Sequence, residues 1–133
     1  MRILLVEDDS DDIELLQEAL KNHAIDFEME VIKDGKSALD HFRTKKVAPD
    51  IIILDLNLPK VHGRELIIEI KKGLIFKSIP LLILTTSSAK EDMEYSYKHG
   101  ADKYLIKPTT MEKISETVRT IVILTRKSGV KGN

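Results

Sequence analysis

The stretch Pro49 to Lys60, PDIIILDLNLPK, decides the fold. Ile51 to Leu54 is an uninterrupted apolar run, the pattern of a parallel strand buried on both faces. Asp55 follows it directly, and Pro59 stands against a helix continuing from the strand. One carboxylate is therefore carried on a dry strand and delivered to its C-terminal end, the edge where open α/β sheets bind ligands. A buried charge needs partners or it neutralises, so the rest of the chain must supply them.

Upstream, Ile3 to Val6 is a second continuous apolar run, ending in Glu7, Asp8, Asp9, Ser10, Asp11 and Asp12. A helix is expected to start there, with Asp9 or Ser10 as N-cap and acids in the first turn, where the helix dipole favours them. Ile13, Leu16 and Leu20 form its apolar stripe. Phe27, Met29 and Val31 alternate with Glu28 and Glu30, as in a strand at a sheet edge with one face less buried. Asp34-Gly35 turns the chain into a short helix marked by Ala38, Leu39 and Phe42.

Downstream, Gly63 breaks the chain, and Leu66, Ile67, Ile70 and Leu74 repeat at helical spacing. Leu81 to Leu84 is a third apolar run, followed by Thr85, Thr86, Ser87 and Ser88. Ser88 with Glu91, and later Thr109 with Glu112, have capping-box spacing for two further helices. The first of these carries Met93 and Tyr97, read as core, and stops at Gly100, a C′ residue. Tyr104 to Ile106 is a short last strand closed by Lys107-Pro108, and Ile114, Val118, Ile121 and Thr125 line the final helix. The four histidines, at 23, 41, 62 and 99, lie near helix ends or turns without ligand spacing and are read as surface residues.

Five strands thus alternate with five helices. Right-handed crossovers and weak strands at both edges predict an α/β, doubly wound, five-stranded parallel sheet of order 2-1-3-4-5, a flavodoxin-like (βα)5 arrangement. At 133 residues the chain has room for one domain, expected over 1–126, with a flexible tail over 127–133. A net charge of −1 gives no bulk field favouring nucleic acid or an anionic membrane. The absence of cysteine removes disulfides and thiolate chemistry. The apolar run near the N-terminus is too short for a signal peptide or a membrane span, so the expected location is cytoplasmic.

The topology converts scattered residues into one site. Glu7 and Asp8 end the first strand, Asp55 the third, Thr85 the fourth and Lys107 the fifth, all at one sheet edge. Three converging carboxylates repel one another unless a cation joins them, and hard oxygen ligands suit Mg²⁺. A lysine and a hydroxyl opposite the metal provide the charge neutralisation and hydrogen bond that a phosphoryl group needs.

The motifs VED, PDIIILDLNLP, PLLILTT and YLIKP, in this order and at these spacings across almost the whole chain, resemble those of a response-regulator receiver domain of two-component signalling. The resemblance implies that Asp55 is the phosphoacceptor. It implies a Mg²⁺ site formed by Asp8 directly, Glu7 through water, Asp55, and the backbone carbonyl of Asn57. It implies further that Thr85 is the hydroxyl that moves to the phosphoryl oxygen, that Lys107 pairs with it, and that Tyr104 is the aromatic whose rotamer follows Thr85. In the family the Lys-Pro bond is commonly cis. Glu7 departs from the commoner Asp, and Thr109 stands where an apolar residue is frequent. LPKVHGRE and the Thr-Thr-Ser run resemble the regulators paired with phytochrome-type kinases.

The function implied is that of a stand-alone switch. It would take its phosphoryl group from a sensor histidine kinase or a phosphotransfer protein and signal to a downstream protein target through the fourth helix, fifth strand and fifth helix. The chain ends after the fifth helix, so output is expected through protein contacts or phosphotransfer, without direct binding of nucleic acid. Two other classes use similar residues. A Mg²⁺-dependent phosphohydrolase with an aspartyl-phosphate intermediate usually needs a second acid two residues after the nucleophile, where this chain has Asn57. A scaffold receiver that is never phosphorylated would not need the full set of acids, hydroxyl and lysine. A homodimer through the fourth and fifth helices is also expected, because Val122 and Leu124 extend the apolar surface of the last helix. Asp9, Asp11 and Asp12 are read as helix-start acids, and Thr86, Ser87 and Ser88 as cap and turn residues.

Overall fold

Each of the three continuous apolar runs forms a strand, and alternate side chains within each run serve opposite faces. The computed structural model describes residues 1–127. In chain order the elements are β1 (Arg2–Val6), α1 (Ser10–Asn22), β2 (Glu28–Ile32), α2 (Gly35–Thr44), β3 (Ile51–Leu54), α3 (Gly63–Lys72), β4 (Leu81–Thr85), α4 (Lys90–Lys98), β5 (Lys103–Ile106) and α5 (Met111–Lys127). The sheet is parallel with order β2-β1-β3-β4-β5. The predicted order and both edge strands are therefore found, and β3 occupies the centre.

Strand periodicity explains the two apolar layers. Leu4, Val6, Ile52, Leu54, Leu81 and Ile83 pack with Phe42 of α2 and Leu66, Ile67 and Ile70 of α3. Their neighbours Ile3, Leu5, Ile51, Ile53, Leu82 and Leu84 point the other way, onto Ile13, Leu16 and Leu20 of α1 and Ile114, Val118 and Ile121 of α5. Every residue of β3 is sealed from solvent, which is why its sequence shows no alternation.

Several local expectations are corrected. α3 ends at Lys72, and Leu74, outside its apolar stripe, is 85% exposed. The N-cap of α4 is Ala89, which makes no side-chain capping bond; the nearby hydroxyl that serves this end is Ser87, whose Oγ accepts from the Ala89 N–H. α5 is capped by Thr110 rather than Thr109, with Thr110 Oγ1 accepting from the Lys113 N–H. Tyr97 is exposed instead of core, and its hydroxyl accepts the Tyr104 backbone N–H at 2.9 Å. His41 is not a surface residue: it packs on Phe42 and Phe76, and burial lowers its pKa. Leu124 turns inward onto the α1/α5 layer, whereas Ile123 is the exposed apolar residue there. Lys127 is the last residue of α5, and the remainder of the predicted tail lies outside the described residues. The Lys107–Pro108 peptide is trans, contrary to the family tendency.

Candidate active site at the carboxyl edge of the sheet

Strand register assembles the site. Val6 pairs with Leu54, so the residues that follow them, Glu7 and Asp55, leave the sheet side by side. The Asp55 N–H continues that ladder to the Val6 carbonyl, and the Glu7 N–H bonds the Ile32 carbonyl. Thr85 pairs with Ile106, and the Lys107 N–H donates to the Thr85 carbonyl at 2.8 Å. Each functional side chain therefore starts from backbone already fixed in the sheet.

The β3–α3 connection is held equally tightly. The Gly63 N–H donates to the Leu56 carbonyl at 3.0 Å, and a Cβ on Gly63 would lie 2.5 Å from the Leu56 Cα. Only glycine lets α3 begin this close to the acceptor strand. Lys60, in the same loop, has φ of +75°.

Asp55 is 3% exposed, and both of its oxygens have partners. Oδ1 accepts the Asn57 N–H at 3.1 Å, and Oδ2 accepts from Lys107 Nζ at 2.9 Å. The Lys107 ammonium also meets Glu7 Oε1 and Asp12 Oδ2, each at 2.7 Å. Its three N–H donors therefore have three carboxylate acceptors. Burial pushes the Glu7 carboxyl up to about 7 against the opposing bond from Lys107, and the Asp55 charge adds to the rise. Burial works against the charge on Lys107, but Asp12, Glu7 and Asp55 outweigh it and hold the ammonium above its ordinary range. Lys107 is thus the counter-ion of an otherwise mutually repelling acidic cluster.

Carboxylate oxygens of Glu7, Asp8 and Asp55 lie within 4.8 Å of one another, with Asp8 exposed and the other two buried. Hard, anionic oxygens at this spacing fit a divalent cation that keeps part of its water shell. The hydroxyl side of the site is linked to the acceptor loop by Asn57, whose side-chain amide donates to Thr86 Oγ1 at 3.2 Å and Thr85 Oγ1 at 3.4 Å. Thr85 is sealed from solvent, and Tyr104 is 5% exposed with its hydroxyl donating to the Ser87 carbonyl at 2.8 Å. Burial raises the Tyr104 pKa, so the phenol stays a donor.

Glu7, Asp8, Asp55, Thr85 and Lys107 meet at this edge, and so do residues whose sequence context looks bland. Asp12, a helix-start acid by sequence, reaches Lys107 with its carboxylate. A signal was available: Asp12 lies one turn before Leu16 on the buried stripe of α1, at the end of the helix nearest the strand termini. Arg64, Ser87 and Asp92 form a polar link beside Tyr104. Asp92 accepts from Arg64 Nε at 2.9 Å, again from the terminal Arg64 nitrogen, and from the Ser87 hydroxyl, while the guanidinium lies 4.9 Å from the Tyr95 ring centre. No periodicity or short motif announces a link between α3 and α4.

A family model described as the response regulator receiver domain matches residues 3–119. The chain is 39% identical to response regulator Rcp1 of Synechocystis sp. over 90% of its own length and 84% of that protein's. It is 37% identical to a probable methanogenesis regulatory protein, FilR2, of Methanothrix harundinacea over 90% and 79% of the two lengths. The solved Mn²⁺-bound form of Rcp1 has a TM-score of 0.80 at 38% identity, covering 90% of each chain. The phosphorylated cyanobacterial phytochrome response regulator RcpA has the same score and identity, covering 90% of this chain and 89% of its own. With the sheet order, the acidic edge and these relatives in agreement, the chain belongs to the response regulator receiver domain family, and a phytochrome response regulator is among the proteins it resembles.

Proposed function

We propose that the protein is a phosphorylation switch in which Asp55 accepts a phosphoryl group from a phosphohistidine of a sensor kinase or phosphotransfer protein. The observation that carries this reading is the state of Asp55: a buried carboxylate fixed by the Asn57 N–H and the Lys107 ammonium, beside two further carboxylates. A sealed carboxylate held in one orientation is a pre-positioned nucleophile. An Asp55 oxygen forms a bond to phosphorus as the phosphorus–nitrogen bond breaks, and the departing electron pair stays on the imidazole.

Glu7, Asp8 and Asp55, with the backbone carbonyl of Asn57, are the residues that would hold Mg²⁺. When bound, the ion supplies positive charge against the phosphoryl oxygens. Lys107 then exchanges its Asp55 bond for one to a phosphoryl oxygen, which keeps the added charge paired. The Thr85 hydroxyl leaves the Asn57 amide for another phosphoryl oxygen, and Tyr104, bonded to the loop after Thr85, follows it. The α4–β5–α5 surface changes as a result and is read by a protein target. A second copy of the chain is a candidate partner at that surface, where Tyr97, Ile106 and Ile123 are exposed, and sedimentation at several concentrations tests it. The chain's family suggests action in the cytoplasm, and no helix among the described residues is long and apolar enough to cross a membrane.

Receiver domains are signalling proteins, and turnover as a phosphohydrolase is not the reading favoured here, since the position two residues after Asp55 is an amide that bonds Thr85 and Thr86. Intact-mass analysis with Mg²⁺ and acetyl phosphate tests the proposal. One added phosphoryl mass is expected, and it should disappear in Asp55→Asn. The same product in that variant would sink the assignment.

A further inference from the structure

The three partners of Lys107 face different fates in the reaction proposed above. Asp55 loses its free carboxylate when it is phosphorylated. Glu7 belongs to the cluster with Asp8 and Asp55 that a divalent cation would draw in. Asp12 stands outside that cluster. It projects from the first turn of α1, where its own N–H is fixed by the Asp9 carboxylate at 3.1 Å, and it contacts Lys107 across 95 residues of sequence. Beyond it the groove between α1 and α5 is walled mainly by Leu5, Leu16, Leu84 and Ile114. An ammonium released toward that groove would meet apolar surface.

We propose that Asp12 is a positioning residue for the phosphoryl-transfer site, retaining the Lys107 ammonium at the α1–β5 edge while Glu7 and Asp55 change partners. This rests on the reading of Asp55 as phosphoacceptor and Lys107 as its counter-ion. The benefit is geometric. With one lasting carboxylate bond, the lysine head group needs to exchange only its Asp55 contact for a phosphoryl oxygen, and it does not have to be recaptured from a mobile state. Holding a reacting group in place in this way lowers the barrier without adding a contact to the substrate.

The sign of the effect separates position from charge. Deleting the Asp12 charge would by itself ease the approach of an anionic donor to an acidic site and speed labelling. Loss of the tether slows it. In the full chain, Asp12→Ala is therefore expected to slow Asp55 labelling by acetyl phosphate and Mg²⁺ about fivefold, while Asp12→Asn, which keeps an acceptor oxygen, loses less than half as much. Asp12→Ser, too short to reach the ammonium but well suited to a helix first turn, should match the alanine variant. In the metal-free protein a slowly exchanging Lys107 ammonium signal, seen by nitrogen-15 NMR in the wild type and in Asp12→Asn, should be lost in the alanine and serine variants. An unchanged ammonium signal in those variants, or labelling as fast as the wild type or faster, would overturn the tether. If the wild type itself is not labelled at Asp55, the switch reading fails, and the ammonium signal still decides whether Asp12 holds the lysine.

Discussion

α1 and α4 both start at the carboxyl edge of the sheet, and they are held there by different physics. α1 buries Ile13, Leu16, Ala19 and Leu20, and its Asp9 N-cap accepts from the N–H groups of Asp11 and Asp12. α4 fully buries only Ser96, and its N-cap residue, Ala89, has no side chain that can cap it. Its anchors are polar instead: Arg64 and Ser87 on Asp92, and the Tyr97 hydroxyl on the Tyr104 N–H. Apolar burial is non-directional and hard to exchange, whereas a set of hydrogen bonds can be traded for another at little net cost. The difference teaches which helix can move. α1 is part of the frame that aims Glu7 and Asp12, and α4 is attached through side chains that touch the loop after Thr85.

The contrast is broken most severely from the apolar side. Leu16→Ala should cost about 3 kcal/mol of global stability through lost transfer energy and the cavity it leaves. Met93→Ala, at a partly buried position on α4, should cost about 1 kcal/mol. Urea unfolding of both variants measures the pair. Equal losses would mean that α4 is packed as firmly as α1.

Next in size is Arg64→Ala, which removes the fork onto Asp92 and the guanidinium over Tyr95. About 1–2 kcal/mol is expected, from a charge-assisted hydrogen bond and a part-exposed cation–aromatic contact. The loss should be local. Amide exchange in α4 should accelerate while exchange in α1 stays at the wild-type rate, and parallel acceleration in both helices would remove the distinction between them. Asp9→Ala is the counterpart on α1, expected to cost about 1 kcal/mol as a lost N-cap. Its amide-exchange signature should appear at the first turn of α1 and leave α4 unchanged.

The same division governs what the sequence disclosed. The strands were legible because burial on both faces leaves continuous apolar runs, as in Ile51 to Leu54. The site was legible because a parallel sheet places the residues after each strand at one edge, so Glu7, Asp55, Thr85 and Lys107 converge by topology. Contacts between side chains of different elements were not. Asp12 reaching Lys107, Asn57 bridging to Thr85 and Thr86, and Arg64 clasping Asp92 each depend on the relative placement of two helices or loops, which no local pattern encodes. Asp9 caps α1 as its sequence predicts, but the starts of α4 and α5 were not legible, for a related reason. Ser88 and Thr109 have the right spacing to cap, but Ala89 and Thr110 take the cap positions of α4 and α5.

The smallest expected effect tests the polar anchorage of α4 most directly, because it can be switched by pH. The Ser87 hydroxyl, helped by Arg64, holds the Asp92 carboxyl below its usual range against the opposing effect of burial. In the unfolded chain the group returns to an ordinary aspartate value near 3.8. Between the two values the unfolded chain binds more protons than the folded one, so stability falls as pH falls. The contribution is therefore present above about pH 4 and is lost as pH drops through the depressed folded value. Other carboxylates titrate in the same window, so the informative quantity is the gap between wild type and Asp92→Asn. About 0.5–1 kcal/mol is expected at pH 6, since an amide keeps the shape but not the charge-assisted bonds. The gap should be narrower at about pH 3, below the ordinary aspartate value, and should close only as pH falls through the depressed folded value. Unfolding curves at both pH values measure it. A gap that is the same at both would mean that Asp92 is not held as an anion, and that α4 is fixed by packing after all.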